Sequence, residues 1–137
     1  TDPSPAADAS LRGHTSTCYC IEFDAAAERF CVGGADAVVS VWDLAEMVCL
    51  RTVTRINYMV RTVSLSPDSA YIASSADTTI DIAEAATGKC ALTIPCGAQL
   101  NSVAWHPSRH LLAYAGDHKD KRNFTLDEGS LRIYGFS

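Results

Sequence analysis

The sequence predicts an all-β fold built from repeated, four-stranded antiparallel units. Three observations carry this prediction. A pattern returns about every 40 residues. Each return is a set of short runs in which apolar and polar residues alternate. No segment holds helical periodicity over ten residues or more.

The first strand of each unit is Cys20-Ile21-Glu22-Phe23-Asp24, then Thr62-Val63-Ser64-Leu65-Ser66-Pro67-Asp68, then Ser102-Val103-Ala104-Trp105-His106-Pro107. Each alternates and ends in a polar turn. Phe23, Leu65 and Trp105 fall at matching places, 42 and 40 residues apart. The second strands run over 29–34, 70–75 and 110–115, and each leads to an aspartate: Asp36, Asp77 and Asp117, spaced by 41 and 40. The third strands are predicted over 38–43, 79–84 and 130–135, the last delayed by a polar insertion over 118–129. A fourth strand closes the first two units around 47–53 and 89–94, and no residues after Ser137 offer one to the third. Asp43 is a suitable helix N-cap, but Leu44-Ala45-Glu46-Met47 has room only for a turn. The organisation read from these strands is a linker over 1–10, rich in Pro, Ser and Ala, followed by units at 11–53, 54–95 and 96–137.

A period near 40 residues with four strands per unit marks WD-type β-propeller blades. Gly13-His14 precedes the first strand and Trp42-Asp43 ends the third. On these residues the chain resembles the WD40-repeat β-propeller family. The resemblance implies a partial propeller of three antiparallel blades, the last lacking its outer strand. In that family a His, a Ser or Thr, the turn Asp and the Trp form a hydrogen-bonded chain. His14, Asp36 and Trp42 match, while Val32 stands at the Ser/Thr place, so the chain of bonds is expected to be incomplete. The second unit keeps Asp77, with Ile56 and Ala83 at the His and Trp places. The third keeps Asp117, with Cys96 and Tyr134 there. All five matching residues (His14, Asp36, Trp42, Asp77 and Asp117) are therefore expected to be structural.

Further stretches are more distinctive: Ile80-Asp81-Ile82-Ala83-Glu84 in place of the Trp-Asp ending, Val103-Ala104-Trp105-His106-Pro107, Leu111-Leu112-Ala113-Tyr114-Ala115, and the terminal Leu131-Arg132-Ile133-Tyr134-Gly135-Phe136. They resemble the closing blades of WD-repeat subunits of the THO complex, the core of the TREX assembly. That resemblance implies a nuclear, non-catalytic scaffold in mRNA processing and export, held by other THO/TREX subunits, with indirect or weak RNA contact. A WD-repeat adaptor of another complex, in chromatin, signalling or ubiquitin ligation, is the alternative.

Composition narrows the function classes. Apolar residues make up 47%, enough for a core, and no apolar run nears the roughly 18 residues a membrane helix needs. The formal charge of −5 opposes broad binding of a phosphate backbone, which needs clustered Lys and Arg. No signal segment opens the chain, and the absence of an initial Met leads us to expect that the natural start is missing. The six cysteines sit mostly in apolar strands and include no C-x-x-C, which predicts reduced, packing thiols; Cys18 and Cys20 share a strand face.

His14 and Asp36 could orient a nucleophile such as Ser16, but no nucleophile elbow, phosphate loop or metal signature accompanies them. No catalytic, cofactor-binding or metal-binding residue is assigned. The segment Asp117-His118-Lys119-Asp120-Lys121-Arg122 mixes metal-capable and basic side chains and reads as a solvated hairpin loop. Arg51, Arg55, Tyr58 and Arg61 cluster between the first two units and are the candidate partner contacts, against a plain solvated loop. Three blades also leave two apolar flanks uncovered. The chain is expected to belong to a ring of roughly seven blades or to associate with itself.

Overall fold

Short runs rich in β-branched residues, separated by polar corners, fold back on themselves as meanders. The computed structural model describes residues 11–97, 99–119 and 127–135, and among these every regular element is a strand. The strands are β1 (Cys18–Phe23), β2 (Arg29–Gly34), β3 (Val39–Asp43), β4 (Val48–Val53), β5 (Val60–Leu65), β6 (Tyr71–Ala76), β7 (Thr79–Glu84), β8 (Cys90–Pro95), β9 (Gln99–Trp105), β10 (Leu111–Lys119) and β11 (Asp127–Gly135). They form three antiparallel sheets with the orders β1-β2-β3-β4, β5-β6-β7-β8 and β9-β10-β11. The third sheet has three strands, and the three sheets do not close into a ring. The linker expected over 1–10 lies outside the described residues.

The repeat extends to individual bonds. At the corner after each first strand, the N–H of Asp24, Ser66 and His106 donates to the carbonyl of Arg29, Tyr71 and Leu111, five residues on in each unit. Ala27 and Ser69, at matching corner positions, both take a positive φ. The Asp24 carboxylate accepts from the Glu28 and Arg29 N–H groups, and Asp68 accepts from Ala70, which is the local bonding that suits Asp to turns. A bulge recurs in each first strand, at Tyr19, Arg61 and Asn101, where the pairing register skips one residue. Asp43 does form a cap-like bond, accepting from the Glu46 N–H, and the segment behind it is a turn.

Two apolar cores lie between the sheets. Cys31, Val39, Val41 and Val53 of the first sheet meet Val60, Val63, Leu65, Ile72, Ala83 and Ala85 of the second. Ala73, Ile80, Ile82 and Ile94 of the second meet Leu100, Val103, Trp105 and Leu112 of the third. Neighbours Ile72 and Ala73 thus face opposite cores, as the two-residue strand period requires. A sheet buried on both faces no longer needs alternation, and β6 is buried at five successive positions. Ile56 and Ala83, at the second unit's His and Trp places, pack in the first core, and Cys96 and Tyr134, at the third unit's, pack in the second.

Polar bonds stitch the same seams. Ser64 donates to Glu22, Ser69 donates to Asp24, and the Trp105 indole donates to the Ser64 carbonyl. The His110 imidazole lies 2.8 Å from Asp68. These partners sit 41, 42 or 45 residues apart, about one repeat, so each bond joins successive blades.

The third unit corrects two expectations. The insertion over 118–129 is not simply a loop: β10 continues to Lys119 and β11 begins at Asp127, pairing Lys119 with Asp127 and His118 with Glu128. The extra residues lengthen the hairpin, so Asp117 lies inside β10, opposite Gln99 and Gly129, and not at a tight corner. Asp36 and Asp77 do lie in turns, Asp77 with a φ of 55°. Residues 120–126, including half of the segment 117–122 with its metal-capable and basic side chains, lie outside the described residues.

Both outer flanks present large apolar side chains: Tyr19, Ile21 and Phe23 on β1, and Leu131 (75% exposed) and Ile133 (70%) on β11. Burying such side chains stabilises by roughly 1.5–3 kcal/mol each. The isolated 137-residue chain is therefore expected to self-associate, with a light-scattering mass above that of one chain. Ile21→Asp with Ile133→Asp should shift that mass towards a monomer. A wild-type chain that stays a folded monomer at high concentration contradicts the expectation.

Candidate interaction surface

The largest polar network belongs to the first blade. Gly13 lets the chain pass against Trp42, because a Cβ there would come within 2.6 Å of the indole ring. This places His14 between Asp36 and Ser40. His14 Nδ1 is 3.1 Å from Asp36 Oδ1, and Nε2 is 2.7 Å from Ser40 Oγ. The Trp42 indole N–H donates to the same Ser40 oxygen at 2.7 Å. A neutral imidazole protonated at Nδ1 satisfies every group: it donates to Asp36, accepts from the Ser40 hydroxyl, and leaves Ser40 to accept from Trp42. The Trp42 ring also stacks on Phe30 at 6.1 Å.

This corrects the expectation of an incomplete chain at Val32. The hydroxyl comes from Ser40, which is the direct register partner of Val32 on the neighbouring strand. Opposed residues of an antiparallel pair share a face and stand about 5 Å apart, so either can serve the same point in space. Ser40 also lies two residues before Trp42, on the same face of β3.

Asp36–His14–Ser40 has the connectivity of a nucleophilic triad, but its surroundings oppose that chemistry. Ser40 is 0% exposed and its oxygen already bonds both Trp42 and His14. No substrate carbonyl can reach it. Ser16, the nucleophile considered from sequence, makes no bond to His14 among the described residues.

Burial works to raise the Asp36 carboxyl, but the His14 hydrogen bond and the Thr15 and Val38 N–H groups together hold it below its ordinary 3.8. A carboxylate with a depressed folded value adds stability above its unfolded value and loses it as pH falls through the folded one. The stability difference between wild type and Asp36→Asn is thus expected to be largest near pH 7 and to shrink towards pH 3, as read by urea unfolding at each pH. A pH-independent difference contradicts this. Burial pushes the thiols of Cys20, Cys31 and Cys96 up, which keeps them protonated and unreactive, and all six cysteines are free. Among the described residues no group of His, Cys, Asp and Glu could hold a metal ion, and no helix is long and apolar enough to cross a membrane.

The four candidate contacts separate into two places. Arg55 is tied to its own blade: Nε and Nη2 bond the two oxygens of Asp81, and Nη1 donates to the Gly88 carbonyl. Burial raises the Asp81 carboxyl while the guanidinium pulls it back. The Arg51 stem lies beside that same Gly88 turn, and its buried Nε has no hydrogen-bond partner. Arg61 instead lines a groove of about 340 Å³ with Met59, Asp77 and Gln99, along the turns that hold Asp36 and Ala37, and Tyr58 and Asn57 stand between the two places, lining this groove and the pocket of Arg55 and Asp81 alike. Tyr58 is 60% exposed, and Met59 accepts a hydrogen bond from the Tyr19 hydroxyl across the blade seam. The sequence reading missed Asn57, Met59 and Gln99. Met59 and Gln99 each stand two residues before the bulge of their unit's first strand, and that shared place was the available signal.

The WD domain, G-beta repeat profile matches residues 8–43 and 47–82. THO complex subunit 3 of Arabidopsis thaliana is 49% identical over 128 residues, which cover 93% of this chain and 40% of that protein. WD repeat-containing protein AAC3 of Dictyostelium discoideum is 35% identical over 128 residues, covering 93% of this chain and 26% of that one. A chain in the crystal structure of the mitotic checkpoint complex superposes with a TM-score of 0.77 at 26% identity, over 93% of this chain and 38% of that chain. This chain thus spans well under half the length of the relatives it matches.

Proposed function

The chain belongs to the WD-repeat family, and from that membership we propose that it acts as a non-catalytic docking body within a THO-type assembly, in mRNA processing and nuclear export. The observation that carries the proposal is the 49% identity to a THO subunit along 93% of the chain. Its partners in this reading are other THO/TREX subunits, its place is the nucleus, and RNA contact is indirect or weak. The charge of −5 supports protein contacts over capture of a phosphate backbone. The sealed environment of Ser40 supports a structural part for the Asp36–His14–Ser40 network.

The test is affinity capture from nuclear extract with the tagged chain, read by mass spectrometry. Enrichment of THO subunits supports the proposal. Enrichment of chromatin, signalling or ubiquitin-ligase subunits without THO overturns it in favour of another WD-repeat adaptor.

A further inference from the structure

One buried hydroxyl joins all three blades. β9 is an edge strand of its sheet, so the N–H groups on its open side need partners from outside the ladder. Those of Val103 and Trp105, two residues apart, find them in the second blade. Val103 donates to the Thr62 hydroxyl at 3.2 Å, and Trp105 donates to the Ser64 hydroxyl at 3.1 Å. The two bonds differ in what stands behind them. Thr62 shares its hydroxyl with that of Ser75 on the neighbouring strand. Ser64, 2% exposed, donates instead across the other seam, to Glu22 Oε1 of the first blade at 3.1 Å. The string Glu22–Ser64–Trp105 thus crosses both seams through one oxygen. Glu22, Ser64 and Ala104 hold the same place in the three first strands, opposite Cys31, Ala73 and Ala113. The groups that face Glu22 are Cys20 and Asp24 on its own strand and corner, Cys31 on β2, and the Ser64 hydroxyl and Leu65 N–H of β5. No cation pairs with it among the described residues. Burial pushes the Glu22 carboxyl up from its ordinary 4.5, while the Ser64 and Leu65 bonds pull it back.

We propose that Ser64 couples the two seams: an ionised Glu22 in the first blade polarises the shared hydroxyl and strengthens its hold on the Trp105 N–H in the third, and protonation of Glu22 relaxes both bonds together. A hydrogen bond to an ionised group is stronger than a neutral one, and bonds in a chain polarise one another. A protonated carboxyl draws less on the Ser64 hydrogen, so the Ser64 oxygen presents less negative charge to the Trp105 N–H. The Trp105 indole also donates to the Ser64 carbonyl, at 3.1 Å, and this second bond holds the strands in place in either state. The charge on Glu22 therefore changes the strength of a bond and not the register of the seam. The folding free energy carries the opposite sign. A carboxyl raised in the folded state adds stability as pH falls through the folded value, because the burial of the charge outweighs its bonds. A local readout at Trp105 is thus separable from global stability.

The test follows backbone amides and side-chain carboxyls of the isotope-labelled 137-residue chain by NMR as pH is lowered from neutrality. The Glu22 carboxyl carbon gives its own midpoint. The Trp105 amide proton should move upfield with that same midpoint as its bond weakens. The Val103 amide, held by Thr62, should not follow it. Glu22→Gln keeps an acceptor for Ser64 and loses only the titration, so the Trp105 movement at that midpoint should vanish. Ser64→Ala, a change to the residue that stands at this place in the third unit, breaks the string and should abolish the movement while Glu22 still titrates. A Trp105 amide that ignores the Glu22 midpoint overturns the proposal. So does a movement that survives in Glu22→Gln, which assigns it to another group such as His110, whose ring lies 6.1 Å from that of Trp105. A movement that survives in Ser64→Ala assigns it to the carboxylate's field through space and overturns the proposal as well. An equal movement of Val103 does the same, as a rearrangement of the whole seam. If Ser64→Ala does not fold, wild type and Glu22→Gln decide the matter with Val103 as the control. None of these outcomes bears on which assembly the chain serves.

Discussion

Trp42→Ala is expected to lower the unfolding free energy by about 3–5 kcal/mol, the range for truncating a large buried aromatic. Trp42 is 5% exposed, stacks on Phe30 with an interplanar angle of 4°, and supplies the indole N–H that Ser40 accepts. Truncation removes the ring's apolar burial and leaves a void beside Phe30 and Gly13. It also strips one donor from the Ser40 oxygen. Trp42→Phe separates these effects: it keeps most of the stacking area and loses only the N–H, so its cost should be nearer 1–2 kcal/mol. Urea unfolding followed by circular dichroism measures both. A Trp42→Ala chain within about 0.5 kcal/mol of wild type, the scatter typical of surface changes, sinks this account of the first blade.

Ser40→Ala should cost about 2–4 kcal/mol, because it leaves two buried polar groups, the Trp42 indole N–H and His14 Nε2, without their shared partner. The informative companion is the double variant Val32→Thr with Ser40→Ala. Val32 and Ser40 are opposed across β2 and β3, so a threonine at 32 returns a hydroxyl to the same face of the sheet. The double variant should recover most of the loss, and Val32→Thr alone should change little. If Ser40→Ala is neutral, or if the added threonine rescues nothing, the hydroxyl does not hold the network. Melts of all four chains under one condition complete the cycle, and the non-additivity measures the coupling.

The network also shows where linear reading stops. His14, Asp36 and Trp42 were legible because dipeptides and spacing mark them along one strand after another. Ser40 was not, because its qualification is a cross-strand register, and the residue it replaces lies eight positions earlier in the chain. The candidate contacts show the same limit. Arg51, Arg55, Tyr58 and Arg61 form one cluster in sequence, yet Arg55 is consumed by Asp81 of a later strand while Arg61 is turned outward by a bulge. Asp117 failed as a corner residue for a different reason: an insertion can extend two paired strands as readily as it can bulge from between them, and composition does not choose.

Period, alternation and punctuation were enough for the architecture: among the described residues, eleven strands in three meander sheets, the last of three strands. These are local properties, since a strand's alternation and a corner's polar residues act within a few positions of themselves. Partnership needed the fold. Which hydroxyl meets which imidazole and which arginine is engaged depend on residues 26 positions apart that meet within one blade through strand register. Which strand face lies against solvent depends on sheet stacking, and stacking is a property of the surfaces two blades present to each other, which no single run of residues carries.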